Sequence, residues 1–112
     1  MNDDGVKSFA VAIVKQACED YVKCLRRVQR YSDAKEAVKR LMRRKAITTL
    51  QEAEVTRQQE LQDAKIQISE IENFFRSEWF NSVSAIEPEV LINRLREMAK
   101  GKKWVSMKIT QM

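Results

Sequence analysis

The sequence predicts an all-α protein in which long helices form a helical hairpin or coiled-coil-like arrangement with a short third helix. The 112 residues include only two glycines and one proline, far fewer turn residues than a sheet protein needs. Apolar residues also recur at steps of three and four over long stretches, which is typical of amphipathic helices. A chain of this length is expected to form a single domain, residues 1–112.

The first predicted helix covers residues 5–31. Its apolar stripe consists of Ala10, Ile13, Val14, Ala17, Cys18, Tyr21, Leu25 and Val28. Asp3 and Asp4 precede this stripe, where acidic side chains suit the positive end of a helix dipole. Tyr31-Ser32-Asp33 then interrupts the pattern, so a second helix is expected to begin at residue 33.

The second predicted helix covers residues 33–80 and is either continuous or kinked at Thr48-Thr49. A single helix, continuous or kinked, is favoured because threonine is only mildly unfavourable inside a helix. Alternatively, Thr49 and Glu52 fit the Ser/Thr-x-x-Glu capping signature, with which a new helix would begin. A heptad-like seam in this stretch contains Ile47, Leu50, Glu54, Arg57, Leu61, Ala64, Ile68, Ile71 and Phe75. Such a seam must pack against the first helix or against a second copy, and its polar residues favour a homodimer.

A third helix is predicted over residues 88–100, because Pro88 suits its first position and Gly101 its end. In the tail, residues 101–112, apolar and polar side chains alternate from Val105 to Thr110. This alternation predicts a short strand. Because a single strand is not stable alone, it pairs with its copy, pairs with a partner, or stays loose.

The composition argues against catalysis. The chain has no histidine, and its two cysteines are Cys18 and Cys24, which is too few ligands for a zinc site. A cysteine or serine nucleophile would lack an imidazole base, and no glycine-rich phosphate loop occurs. We therefore expect no catalytic residues, no metal and no cofactor. The apolar runs are too short for a signal peptide or a membrane span, so a cytoplasmic protein without a membrane partner is expected.

The net charge of +5 is unevenly distributed along the chain. Basic residues prevail before residue 50 and after residue 84, whereas acidic residues prevail between them. The densest basic block contains Arg26, Arg27, Arg30, Lys35, Lys39, Arg40, Arg43, Arg44 and Lys45. Such a block is typical of nucleic-acid binding. It is equally typical of a solvated helix surface, or of a patch that meets the acidic part of a second copy, and no recognition motif accompanies it.

The aromatic residues concentrate in Phe74-Phe75-Arg76-Ser77-Glu78-Trp79-Phe80. One interpretation is a hydrophobic lid where the second helix meets the third, with Arg76 paired to Glu72 one turn earlier. The other is an anchor for a partner formed by Arg76, Trp79 and Phe80, since aromatic residues and arginine dominate interaction hot spots.

Two blocks of the sequence stand out together. The first block is Ala12-Ile13-Val14-Lys15-Gln16-Ala17 with Tyr21 and Leu25-Arg26-Arg27. The second runs from the aromatic segment through Leu91-Ile92-Asn93-Arg94-Leu95-Arg96. These two blocks resemble a family of small helical proteins encoded by phages and prophages of Gram-positive bacteria. The chain departs from the family at Glu87-Pro88, where members usually carry an Asp-Gly turn, and residues 34–67 look longer than the usual connector.

The resemblance implies a phage accessory protein that acts in the bacterial host cell by binding. Its most concrete version inhibits a host defence system, as an anti-CRISPR protein does, by binding a host protein or its protein–nucleic-acid complex. One alternative is a regulator or replication accessory protein that binds nucleic acid directly. Another is a structural helical dimer in phage assembly.

Overall fold

The chain forms five helices in a computed structural model that describes residues 3–44 and 46–101. They are α1 (Asp3–Ser32), α2 (Ala34–Met42), α3 (Leu50–Phe75), α4 (Glu78–Val83) and α5 (Pro88–Lys100). The described residues contain no strand, which confirms the all-α prediction. The strand predicted in the tail lies outside the described residues. None of the described helices is long and apolar enough to cross a membrane.

Helices α1 and α3 form an antiparallel hairpin. Tyr21 of α1 contacts Glu72 of α3, with 2.6 Å between their oxygens. At the C-terminal end of α1, the backbone carbonyl of Tyr31 accepts a hydrogen bond of 2.9 Å from Arg57, which lies near the start of α3. Residue numbers thus rise along α1 while those of their partners fall along α3, as the predicted helical hairpin requires. The molecule is 56 Å long and 27 by 21 Å across.

The second helix is not continuous, and the prediction of one helix over residues 33–80 was wrong. Helix α2 ends at Met42, and α3 begins only after Thr49. The Thr49 hydroxyl accepts a hydrogen bond of 3.1 Å from the backbone of Glu52. The Glu52 carboxylate accepts one of 3.3 Å from the backbone of Thr48. The first bond satisfies an amide that a helix start leaves unpaired, and the second ties the Glu52 side chain to the residue before the cap. A new helix therefore begins after Thr49, as the capping alternative predicts.

A further break at Arg76 and Ser77 separates α3 from α4. The Ser77 hydroxyl donates to the carbonyl of Phe74 (2.6 Å) and accepts from the backbone of Phe80 (3.2 Å). This side chain therefore closes α3 and caps α4 at once. The change in direction carries Phe80 into the core, where it is fully buried.

The buried side chains form two clusters. The larger lies where α1, α3, α4 and α5 meet, and it contains Val14, Cys18, Tyr21, Val22, Phe75, Phe80, Leu91, Ile92, Leu95 and Ala99. The smaller lies beneath α2 and contains Tyr31, Ala37, Leu41 and Ala53. Long-range packing thus stabilises both ends of the hairpin by the removal of apolar surface from water.

The predicted heptad seam faces into this chain. Ala64 and Phe75 are fully buried, and Leu61, Ile68 and Ile71 are half-buried against the two clusters. Leu50 is the exception, at 69% exposed. Because α1 and α2 already cover this seam, its residues are not available to a second copy. The seam therefore gives no reason to expect a homodimer.

The polar residues of the seam also have a partner within the chain. Arg57 forms hydrogen bonds of 2.9 and 2.6 Å with the Glu54 carboxylate, and it also binds the carbonyl of Tyr31 at 2.9 Å. That carbonyl belongs to the last turn of α1, where helix carbonyls lack an intrahelical donor. The hydrogen bonds from Arg57 lower the pKa of Glu54 to about 2. The pair therefore holds the end of α1 against α3.

Candidate functional site

The basic block of the sequence occupies the C-terminal half of α1, the whole of α2 and the turn that follows α2. We call this the basic surface. Its described members are Arg26, Arg27, Arg30, Lys35, Lys39, Arg40, Arg43 and Arg44. The remaining predicted member, Lys45, lies outside the described residues.

Three of these arginines bind groups of the same chain. Arg27 pairs with Glu60 of α3. Arg26 donates to the carbonyls of Met98 and Gly101, both at 3.4 Å, at the C-terminal end of α5. Arg44 donates to the Tyr31 hydroxyl at 3.3 Å. These side chains fasten α1 and α2 to their neighbours, so they contribute to packing as well as to the surface charge.

Four other cations face solvent without such a partner. Arg30, Lys35, Arg40 and Arg43 are exposed, and none of them forms an ion pair with another residue in the described ranges. Lys39 lies 3.7 Å from Glu36, but both side chains are more than half exposed, and such pairs contribute little. These residues are therefore available to an external anion.

The way α2 packs explains why its cations point outward. Ala37 and Leu41 are 1% and 0% exposed beneath the helix, and Val38 and Met42 pack beside them. The same side of α2 cannot also carry charge, so Lys35, Lys39 and Arg40 lie on its solvent side. Asp33 caps the helix through a bond of 3.2 Å to the backbone of Glu36. Lys39 and Arg40 in the last turn also suit the negative end of the helix dipole.

The predicted aromatic and arginine anchor of Arg76, Trp79 and Phe80 is not a single surface, because Arg76 and Trp79 are exposed whereas Phe80 lies in the core and cannot contact a partner as predicted. Phe80 is fully buried. Trp79 is 40% exposed and lies 5.6 Å from the Phe74 ring, measured between centroids. Arg76 binds Glu89 of α5 at 2.6 Å and Glu72 at 3.5 Å. The segment therefore serves as the junction of α3, α4 and α5.

Sequence reasoning missed a polar cluster beside this junction. The Tyr21 hydroxyl donates to Glu72 Oε2 at 2.6 Å. Arg96 Nη2 donates to the same oxygen at 3.0 Å, and Arg96 Nε lies 3.3 Å from the Tyr21 hydroxyl. The cluster joins α1, α3 and α5. Its members are far apart in the sequence, and only the pairing of Glu72 with Arg76 had a local signal, their spacing of one turn.

The surroundings of the cluster set the protonation of its members. Burial and the hydrogen bond to Glu72 raise the pKa of Tyr21 to about 12. Burial acts to raise the pKa of Glu72, but the bonds from Tyr21 and Arg96 and the charges of Arg96 and Arg76 outweigh it, so this pKa is lowered. At neutral pH the tyrosine is therefore protonated and the glutamate ionised, which is the combination that holds the three helices together.

The two cysteines are interior hydrophobic residues. Cys18 is fully buried, and burial raises the pKa of its thiol to about 12. Cys24 is 3% exposed, its thiol donates to Gln67 at 3.1 Å, and burial raises its pKa as well. Both thiols are therefore protonated at neutral pH and unsuited to act as nucleophiles. Across residues 3–44 and 46–101, no cluster of three or more acidic, histidine or cysteine side chains is placed to hold a metal ion.

Comparisons of the chain with known protein families, with curated proteins and with solved structures find no match. The site itself is defined by geometry and charge, and its distinguishing feature is the row of exposed cations on α2 and at the end of α1.

Proposed function

We propose that the protein is a non-enzymatic accessory protein whose basic surface binds the phosphate backbone of a nucleic acid, either free or as part of a host protein–nucleic-acid complex. One observation carries this proposal. Arg30, Lys35, Arg40 and Arg43 are exposed, and within the described ranges no carboxylate pairs with them.

Phosphate is the anion that best suits this arrangement. A cation that binds a phosphate releases condensed counterions from the polynucleotide, and this release supplies most of the affinity of sequence-independent binding. Arginine also binds phosphate oxygens through two parallel hydrogen bonds. Because α2 is held to the rest of the molecule by Ala37 and Leu41, its cations are presented on a packed helix instead of a loose loop.

The surface is suited to the backbone and not to the bases. Proteins that hold single strands stack bases on exposed aromatic side chains. The aromatic residue nearest in sequence, Tyr31, is only 4% exposed and accepts its contacts from Arg44 and Arg57. We therefore expect little sequence preference and no preference for single strands over duplexes.

The biological setting of this proposal comes from the resemblance to phage and prophage proteins. In that setting, a protein that engages the nucleic-acid part of a host complex in the cytoplasm would act as an inhibitor of a host defence system, in the manner of an anti-CRISPR protein. Binding to nucleic acid alone would instead indicate a regulator or a replication accessory protein. Affinity capture from bacterial lysate, with and without nuclease, separates these two: a protein partner that persists after nuclease favours the first.

Charge reversal tests the basic surface directly. The double variant Arg40→Glu/Arg43→Glu is expected to bind a labelled duplex about tenfold more weakly, or worse, because it removes two phosphate contacts and adds repulsion. The matched control is Lys7→Glu/Lys15→Glu, which changes the net charge equally at exposed positions on the other half of α1. Fluorescence anisotropy at fixed salt measures both.

The control variant should retain binding within about twofold, apart from a general charge effect. Equal loss in both variants would show that only net charge matters and that the basic surface is not a site. Absence of binding by the unmodified protein to any nucleic acid would remove the proposal altogether.

A further inference from the structure

The solvent-facing side of α3 carries a second row of residues, opposite the buried one. Val55 and Ile66 are 59% and 47% exposed. They are eleven positions apart, close to three helical turns, so they lie on the same side of the helix. Gln59, Gln62, Ser69 and Asn73 continue this row at steps of four and three, and all are exposed. We call the row, Val55, Gln59, Gln62, Ile66, Ser69 and Asn73, the outer seam.

The outer seam contains no charged residue, although 33% of the chain is charged. The exposed face of a helix normally carries its charged side chains, as α2 does. The alternating steps of four and three are those of a coiled-coil contact row. The composition of the outer seam is therefore that of a surface which meets another helix.

The row also suits an identical partner. In a parallel, in-register pair each residue of the row faces its own copy. Aliphatic side chains such as Val55 and Ile66 can pack against themselves. Amide side chains such as Gln59 and Asn73 carry both donors and acceptors, so they can hydrogen-bond to themselves, which two like charges cannot do.

The flanks of the row select the relative direction of the two helices. Lys65 lies on one flank and Glu70 on the other, five positions later. In a parallel coiled coil, side chains on opposite flanks and five positions apart meet across the interface, so Lys65 of one helix lies opposite Glu70 of the other. Asp63 shares a flank with Glu70, so an antiparallel pair would place acids opposite acids. Lys65, Glu70 and Asp63 are exposed, and none forms an ion pair with another described residue.

We propose that the outer seam is the interface of a homodimer in which the α3 helices of two copies pair parallel and in register. The two Lys65–Glu70 ion pairs across the interface follow from its two-fold symmetry. With two aliphatic residues per copy the association is weak, with a Kd on the order of 100 µM. The dimer places both basic surfaces at the same end and so doubles the charge offered to a polyanion. The proposed dimer does not depend on what the basic surfaces bind.

Sedimentation of the full chain tests the interface. The unmodified protein is expected to pass from monomer to dimer as its concentration rises towards about 1 mM, whereas Ile66→Glu stays monomeric because it places like charges face to face. Phe9→Glu is the matched control, because Phe9 is also an exposed apolar residue, at 67%, but lies on α1. This control should dimerise normally. A wild type that stays monomeric throughout, or equal behaviour of the two variants, would overturn the proposal.

Cysteine cross-linking tests the direction. Gln59→Cys and Asn73→Cys, each made separately, should both form disulfide-linked dimers on mild oxidation, because each residue faces its copy in a parallel pair. In an antiparallel pair at most one of these positions lies near the symmetry axis. The native thiols are buried and should not interfere. Cross-linking at only one position, or at neither, would contradict the parallel arrangement.

A charge swap completes the test. Lys65→Glu should weaken the dimer several-fold through repulsion with Glu70 of the second copy. The double variant Lys65→Glu/Glu70→Lys should restore it, because the ion pair then re-forms with its signs exchanged. Failure of the double variant to recover would show that these two residues do not meet across the interface.

Discussion

Replacement of Phe80 with alanine is expected to lower the free energy of unfolding by about 3–5 kcal/mol, the usual cost of deleting a buried aromatic side chain. Phe80 is fully buried, and its ring centroid lies 5.5 Å from that of Phe75 and 6.0 Å from that of Phe74. It is also the buried residue of α4, a helix of only six residues, which cannot form without tertiary packing. Loss of this ring should therefore detach α4 as well as leave a cavity.

Urea denaturation followed by circular dichroism measures this change. The matched control is Trp79→Ala, the neighbouring aromatic residue on the same helix, which is 40% exposed. It should cost less than Phe80→Ala, about 2 kcal/mol, because 40% of its surface is already in water and only the buried remainder contributes. Equal losses in the two variants would show that Phe80 is not the residue that anchors α4.

Replacement of Glu72 with alanine is expected to cost about 2–3 kcal/mol. The side chain is 15% exposed and accepts hydrogen bonds from Tyr21 and Arg96, while Arg76 lies within 3.5 Å. One hydrogen bond to a charged group contributes about 1.5–3 kcal/mol. Arg76 and Arg96 are 43% and 48% exposed, so solvent screening weakens their contacts and the total stays within the range of a single such bond. The truncation also leaves the buried Tyr21 hydroxyl with Arg96 as its remaining partner.

The same residue should make stability depend on pH. Because the folded-state pKa of Glu72 lies below its ordinary value of 4.5, the unfolded chain binds the proton first as the pH falls. The contribution of Glu72 is therefore complete above about pH 4.5 and is lost as the pH drops through the folded-state pKa. At the alkaline end, Tyr21 has a pKa raised from 10.0 to about 12, so its contribution is lost as the pH rises across that interval.

The control for these measurements is Glu70→Gln, an exposed position on the same helix. At the same low protein concentration it should leave both the free energy of unfolding and its acid dependence within about 0.5 kcal/mol of the unmodified protein. If Glu72→Ala loses the same free energy of unfolding at low pH as the unmodified protein does, that acid dependence does not come from Glu72.

Much of the fold could be predicted because it depends on local chemistry. The apolar steps of three and four define α1 and α5 within about two residues. The Thr49 and Glu52 spacing marks the start of α3. The prediction of a continuous second helix was wrong. Threonine inside a helix costs little free energy, so its propensity alone does not break a helix, whereas the two side-chain bonds at Thr49 and Glu52 stabilise a helix start there. Ser77 caps α4 without this signature, because Phe80 stands where the Glu or Gln would be, so its capping role was not predicted.

The rest depends on contacts between residues that are distant in the sequence. A heptad row indicates which side of α3 is buried, but not that α1 and α2 of the same chain cover it. The meeting of Tyr21, Glu72 and Arg96 follows from the antiparallel packing of α1 on α3 and from the position of α5. For the candidate site, the sequence identified the basic residues. Only the structure distinguishes Arg26 and Arg27, which bind groups of the chain, from Arg40 and Arg43, which do not.

The salt dependence of binding to a labelled duplex tests the central claim most directly. If Arg30, Lys35, Arg40 and Arg43 each neutralise one phosphate, the logarithm of the association constant should fall with the logarithm of the salt concentration with a slope between about −3 and −4. A single strand of equal length should show no tighter binding than the duplex at the same salt concentration. A slope near zero, or no binding at low salt, would contradict the assignment of the basic surface as a phosphate-binding site.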